Sequence, residues 1–251
     1  MNLNEILTAQ YVRALIYSPS GTGKTTVAAL TALYPELRPV YVADWDMRIE
    51  SLRARVPQEY WQYVISDPYR DVVIGGEAFT KFQSKVEKLE GEGIKTLVID
   101  SGTFCMKAIM NRVLTLAGKP TTDTPQLQNY MQQQSLLEDL VAKTCAKKLN
   151  FIFTCHEDTS KDEVTGRLFK AVDLTGKMAN RIPGYFNEIW HCEVTQSTGR
   201  EPEFRVRTRS DQTYAARTSF KTLDSLEKQE LLWPKILAER TNNGQTATKP
   251  V

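Results

Sequence analysis

Histidine is nearly missing from this chain, with two residues in 251, and the four cysteines (Cys105, Cys145, Cys155, Cys192) fall in no CxxC spacing. The common zinc-ligand patterns and a disulfide framework are therefore unsupported, and the chain reads as intracellular. No apolar run approaches the roughly 18 residues of a membrane span. The first ten residues, MNLNEILTAQ, lack the basic start and apolar stretch of a secretory signal. A dominant charge sign is also missing: 32 basic residues stand against 30 acidic ones, a net of +2. Nothing draws the whole molecule to a polyanion, so any such contact must be a local patch. With 41% apolar and 25% charged residues the chain is neither disordered nor fibrous. Its length suits one ordinary α/β domain or two small ones.

The order of elements narrows this. Tyr11 to Tyr17 (YVRALIY) is a β-rich run that stops at the turn cluster Ser-Pro-Ser-Gly, and KTTVAALTALYP continues as a helix. Pro39 to Ala43, Thr96 to Ile99 and Phe151 to Cys155 are short apolar runs suited to strands buried on both faces. Helical spacing marks residues 76–90, 101–117 and 126–149, with a short helix over 176–186 interrupted by Pro183. Residues 119–125 and 157–176 read as loops. Strands are expected at 188–194 and 203–209, an extended stretch near Tyr214, a last helix over 223–240 and a disordered tail over 241–251. Alternation of this kind predicts one domain over 1–240, with a mostly parallel central sheet, helices on both faces and late antiparallel strands.

The most informative stretch is Ser18-Pro19-Ser20-Gly21-Thr22-Gly23-Lys24-Thr25, followed by Thr26. It fits the phosphate-binding pattern G-x-x-x-x-G-K-[ST] except at its first position, where Ser18 replaces glycine. Gly21 and Gly23 let the backbone curl so that N–H groups face a phosphate. Lys24, expected to face solvent, would reach the β- and γ-phosphates of ATP, and the Thr25 hydroxyl would ligate Mg²⁺. Serine can follow the same path provided its φ is negative. Asp100, at the tip of a buried strand, is placed to hold the Mg²⁺ shell, or else to cap the helix that follows.

These motifs together resemble the RecA-like branch of P-loop ATPases, and more narrowly the phage nucleotide-binding proteins of the Sak type, which are single-strand annealing proteins. The residues that carry the resemblance are SPSGTGKTT, YVADWDMRIESL, TLVIDS, FIFTCHE and YAARTSF, spanning about residues 11 to 222. It implies a RecA-like P-loop NTPase core with ATP and Mg²⁺, an acidic residue that polarises the attacking water (Asp46, with Asp44 as competitor), and slow hydrolysis. Both aspartates could instead cap the next helix. His156 matches the place of a polar γ-phosphate sensor, or is a satisfied strand-end histidine. Arg217 matches a late basic motif that reaches a neighbouring subunit's nucleotide, although Ala215 stands where a lysine often precedes it; it could equally be an ordinary surface arginine.

The resemblance also implies two loops that contact single-stranded DNA, here about residues 119–134 and 157–177. The first offers Lys119, Asn129, Tyr130 and Gln132 to Gln134. The second holds Lys161, Arg167, Phe169, Lys170 and Lys177 against five acidic residues, a net of −1, which suits a solvated loop as well as a DNA contact. Arg205, Arg207 and Arg209 alternate along one strand face, as a phosphate stripe or, in the favoured reading, as protection of an edge strand. The implied function is an ATPase that binds single-stranded DNA and promotes annealing as a ring or filament in the host cytoplasm, with a single-strand binding protein as a candidate helper. The alternatives are a nucleotide-dependent switch or assembly factor that touches no DNA, and a P-loop metabolic kinase.

Overall fold

The computed structural model describes residues 11–71, 76–161, 166, 168–196, 199 and 201–246. Ten strands form among them. β1 (Arg13–Tyr17), β2 (Val40–Asp44), β3 (Val64–Pro68), β4 (Thr96–Asp100), β5 (Asn150–Cys155), β8 (Glu188–Thr195), β9 (Glu203–Arg207) and β10 (Leu226–Lys228) make one eight-stranded sheet in the order β10-β9-β8-β1-β5-β4-β2-β3. The pairs from β3 through β8 are parallel, and β9 and β10 are antiparallel additions. The expected mostly parallel sheet with late antiparallel strands is therefore what forms.

Every residue of β2, β4 and β5 is buried, as a strand covered on both faces requires. Side-chain alternation divides the core. Leu15, Tyr17, Leu97, Ile99, Phe151 and Phe153 point to one face, and Ala14, Ile16, Val42, Val98 and Ile152 to the other. The first face is covered by α2 (Glu77–Lys88), α3 (Gly102–Leu116) and α4 (Leu127–Ala146), the second by α1 (Lys24–Ala29) and α6 (Gln229–Thr246). On α2 the buried Phe79, Phe82 and Val86 recur at helical spacing; each such side chain is worth about 1.5–3 kcal/mol on burial.

Four differences from the sequence reading have physical causes. Residues 64–68 form β3, an edge strand whose half-exposed, mixed side chains carry no strand pattern. The stretch read as a loop after Cys155 is a two-stranded hairpin, β6 (Glu157–Lys161) with β7 (Leu168–Val172), and its polarity reflects exposure rather than irregular backbone. The last helix begins at Gln229, because 226–228 pair with β9, and it continues to Thr246. Nor is β9 an edge strand, since β10 flanks it; Arg205 pairs with Glu203 and Arg207 with Glu193 and Asp211. Between β7 and β8 lies the short helix α5 (Met178–Arg181), as expected before Pro183.

Register gathers the functional residues at one end of the sheet. Asp44 lies level with Asp100, and Tyr17 level with Cys155, so the segments starting at Ser18, Trp45, Ser101 and His156 all leave the sheet at its C-terminal edge.

Candidate functional site

Between β1 and α1 the chain makes a tight loop over residues 18–23. Gly21 (φ +82°) and Gly23 (φ +93°) adopt the left-handed conformations that glycine tolerates. Ser18 does not need one: among the described residues other than glycine only Met47 has a positive φ. Serine thus follows the loop without strain, and its hydroxyl meets that of Thr22 at 2.5 Å. Lys24 departs from expectation. It is only 7% exposed, and its Nζ donates to the carbonyls of Ser18 (2.7 Å) and Pro19 (2.8 Å). It lies along the front of the loop rather than facing solvent, and burial lowers its pKa.

Beside the loop, the buried Asp100 accepts hydrogen bonds from the Thr25 hydroxyl at one oxygen and the Thr154 hydroxyl at the other, both at 2.5 Å. Burial raises its pKa against the pull of those two hydroxyls, and the charges of Asp46 and Asp44 add to the rise. The Asp46 carboxylate accepts from the Ser101 N–H (3.2 Å) and hydroxyl (2.7 Å), and His156 Nε2 stands 3.4 Å from its other oxygen, an ion-pair distance without hydrogen-bond alignment. Burial alone would raise the Asp46 pKa, but His156 and Ser101 outweigh it and hold the carboxyl below its ordinary value.

The two aspartates at the end of β2 separate cleanly. Asp44 is 3% exposed and accepts the backbone N–H groups of Arg48 and Ile49, so it organises the turn that follows. Asp46, not Asp44, lines the cleft. That cleft, about 280 Å³, is walled by the glycine loop and Thr25 on one side and by Asp46, Arg48, Asp100 and His156 on the other.

A loop of this backbone, with a lysine at its front and a strand-tip aspartate bonded to its threonine, is built to hold phosphate. Residues 10–220, well over half of the chain, match the family described as AAA domain. The chain belongs to that AAA domain family. No curated protein matches it. Among solved structures the AAA domain is similar to an ATPase from the type III secretion system of pathogenic bacteria, with 16% identity, a TM-score of 0.47, and coverage of 72% of this chain and 52% of the other. It spans about half the length of that ATPase. It is also similar to the RadB recombinase, with 15% identity, a TM-score of 0.44, and coverage of 78% and 79%.

The glycine loop of the AAA domain has the form of a P-loop, and the donor set beside it fits Mg²⁺. Thr25 Oγ1 and the Asp100 carboxylate are hard oxygen donors, few in number, as suits an ion that keeps several waters and binds substrate phosphates. The buried carboxylate of Asp100 also gains from a nearby cation. Among the described residues no cluster of three or more His, Cys, Asp or Glu forms an all-protein metal cage.

Other expected residues lie elsewhere. Arg217 pairs by backbone with Ile189, itself level with Leu15, and its guanidinium donates to the carbonyls of Pro183 (2.7 Å) and Phe186. Those carbonyls precede β8, so the group points toward the end of the sheet opposite the glycine loop. In the first expected DNA loop, Asn129 is buried in a capping box with Gln126, and Gln133 donates to the Met106 carbonyl; both hold α4 in place. Arg167 lies outside the described residues. Sequence reasoning missed Gln229, Arg48, Arg55 and Phe204. Gln229 donates to the Thr22 carbonyl, and the Arg55 guanidinium covers the Phe204 ring at 4.2 Å on the cleft rim. No local signal marks the first or last: Gln229 reaches the glycine loop, and Phe204 the cleft, only through tertiary packing.

Proposed function

We propose that this chain is an ATPase whose nucleotide state controls binding to single-stranded DNA, acting in annealing or recombination as an oligomer. The observation that carries the coupling is the position of His156. It follows β5 directly, beside Asp46, and its carbonyl accepts the Asp173 N–H at the base of the β6–β7 hairpin. Thr103 completes the joint: its hydroxyl accepts the His156 N–H and donates to the Asp173 carbonyl. A change at Asp46 is therefore two contacts away from the hairpin, which presents the exposed side chains of Leu168 and Phe169. Exposed aromatic and apolar side chains of this kind can stack on unpaired bases. The resemblance to phage single-strand annealing proteins supports the DNA assignment.

In the hydrolytic reading, Lys24 and the loop N–H groups hold the phosphates and Asp46 orients the attacking water. Thr25 and Asp100 would hold Mg²⁺, which when bound would neutralise phosphate charge. His156 reports the change at Asp46 to the hairpin.

Hydrophobic exposure on the hairpin also favours a second reading, in which a protein surface rather than DNA docks there. Retention on single-stranded DNA across a salt series, with a non-hydrolysable ATP analogue, with ADP and without nucleotide, tests the first. Tighter, salt-sensitive retention with the analogue is expected. No retention in any state would favour the protein-partner reading.

A further inference from the structure

RecA-like chemistry is expected to need an arginine from a neighbouring subunit, yet the cleft already contains one from its own chain. We propose that Arg48 is a further catalytic residue, a guanidinium supplied in cis to the phosphoryl group being transferred; this rests on the hydrolytic reading above. Its backbone is held on three sides. Both oxygens of the buried Asp44 carboxylate accept from the turn, from Arg48 N–H at 3.2 Å and Ile49 N–H at 3.1 Å. The N–H groups of Trp45 and Asp46 both donate to the Asp100 carbonyl, pinning the start of the turn to the tip of β4. Met47, at φ +56°, then turns the chain back toward the glycine loop. A methionine held there is a conformation the surrounding contacts must impose.

The side chain ends at the loop, with Nη1 3.5 Å from Ser20 Oγ. Ser20 follows Ser18 and Pro19, whose carbonyls receive Lys24, so the two cations converge on the same front edge of the loop. Among the described residues Arg48 makes no ion pair. The carboxylates that could neutralise it are engaged: Asp46 by Ser101 and His156, Asp100 by Thr25 and Thr154. An arginine fork left open beside a phosphate loop matches phosphate oxygens in geometry and charge. Arg55, the other cation on the cleft, lies over Phe204 at the rim.

In the reaction, the water oxygen forms a bond to the γ-phosphorus while the bond from that phosphorus to the bridging oxygen breaks. The electron pair leaves with ADP, and the water proton passes to the Asp46 carboxylate and then to solvent as inorganic phosphate departs. Arg48 stabilises the charge carried by the γ-phosphate oxygens between these events.

The test compares wild type with Arg48→Ala and Arg48→Lys in phosphate release and in binding of ADP alone and of ADP with aluminium fluoride. Arg48→Ala is expected to slow turnover per subunit about 100- to 1,000-fold, with a parallel loss of affinity for the ADP–aluminium fluoride complex. ADP affinity should stay near wild type, which also shows that the variant is folded. Arg48→Lys should recover only part, because an ammonium lacks the planar fork, and it serves as the test should the alanine variant not fold. Wild-type activity per subunit should be independent of protein concentration. Turnover and ADP–aluminium fluoride affinity unchanged in either variant would overturn the role of Arg48 alone. A wild-type protein that binds neither ligand would overturn the nucleotide reading and this proposal with it.

Discussion

Gln229, the first residue of α6, donates its side-chain amide to the carbonyl of Thr22 at 2.9 Å, joining the C-terminal helix to the phosphate loop across 207 residues of chain. The same amide adds to the constraint that the left-handed backbone places on Gly23. A Cβ there would stand 2.5 Å from Gln229 Oε1, at a backbone φ of +93°. Trp233, one turn further along α6, donates to the Val27 carbonyl and packs edge-on against Trp190, so the helix seats α1 against the sheet.

Two substitutions separate these effects. Gln229→Ala removes one part-buried hydrogen bond, worth about 0.5–1.5 kcal/mol, and should weaken ATP binding by roughly 2- to 10-fold while leaving the fold intact. Gly23→Ala should destabilise by about 1 kcal/mol or more and abolish ATP binding. Combining them relieves the contact but not the backbone strain, so the double variant should recover only part of the loss in a thermal melt. Full recovery would place the whole penalty in the side-chain contact.

Lys24→Ala is expected to weaken ATP binding about 10- to 100-fold, the range of one charge-assisted hydrogen bond. Because Lys24 is engaged with the Ser18 and Pro19 carbonyls, a small stability loss should accompany it. Equilibrium titration together with a melt measures both. Wild-type affinity would remove Lys24 from the site.

Asp100 gives a pH prediction. Its pKa is raised, and Mg²⁺ needs the ionised carboxylate, so proton competition should persist above the ordinary aspartate value near 3.9. Mg²⁺ affinity should therefore rise with pH through a window displaced upward from that value. In the folded protein without metal the sign reverses. A group whose folded pKa is raised contributes stability below its unfolded pKa and loses it as pH rises through the folded one. Asp100→Asn should flatten both pH profiles and remove Mg²⁺-dependent turnover; unchanged magnesium dependence would count against the assignment.

Much of the site was legible because it is local. A glycine loop between a strand and a helix, and an apolar run ending in aspartate, write their chemistry into adjacent residues. The buried strands β1, β2, β4 and β5 were equally plain, since burial on both faces requires continuous apolar runs. What stayed hidden depends on distant partners. β3 has an edge strand's mixed pattern, β10 is three residues long and exists only by pairing with β9, and Gln229 meets the glycine loop and Phe204 the cleft through packing. The choice between Asp44 and Asp46 turned on which carboxylate the next turn consumed, which two aspartates in one tripeptide cannot express.

Arg217→Ala should chiefly cost stability, about 1 kcal/mol for its two carbonyl contacts at an exposed position. Turnover per subunit should remain near wild type at every protein concentration. A variant as stable as wild type but slow at every concentration would instead assign this arginine to a neighbouring subunit's site.

The most direct measurement is phosphate release from ATP by wild type and Asp46→Asn, with ATP binding determined on the same samples. Asp46 lines the cleft, its carboxylate is held ionised by His156 and Ser101, and it touches none of the loop that grips the phosphates. The predicted result is retained ATP binding with release slowed by about 100-fold or more, the range of a positioned general base. Equal phosphate release from the two proteins would contradict the assignment of this cleft as the hydrolytic centre.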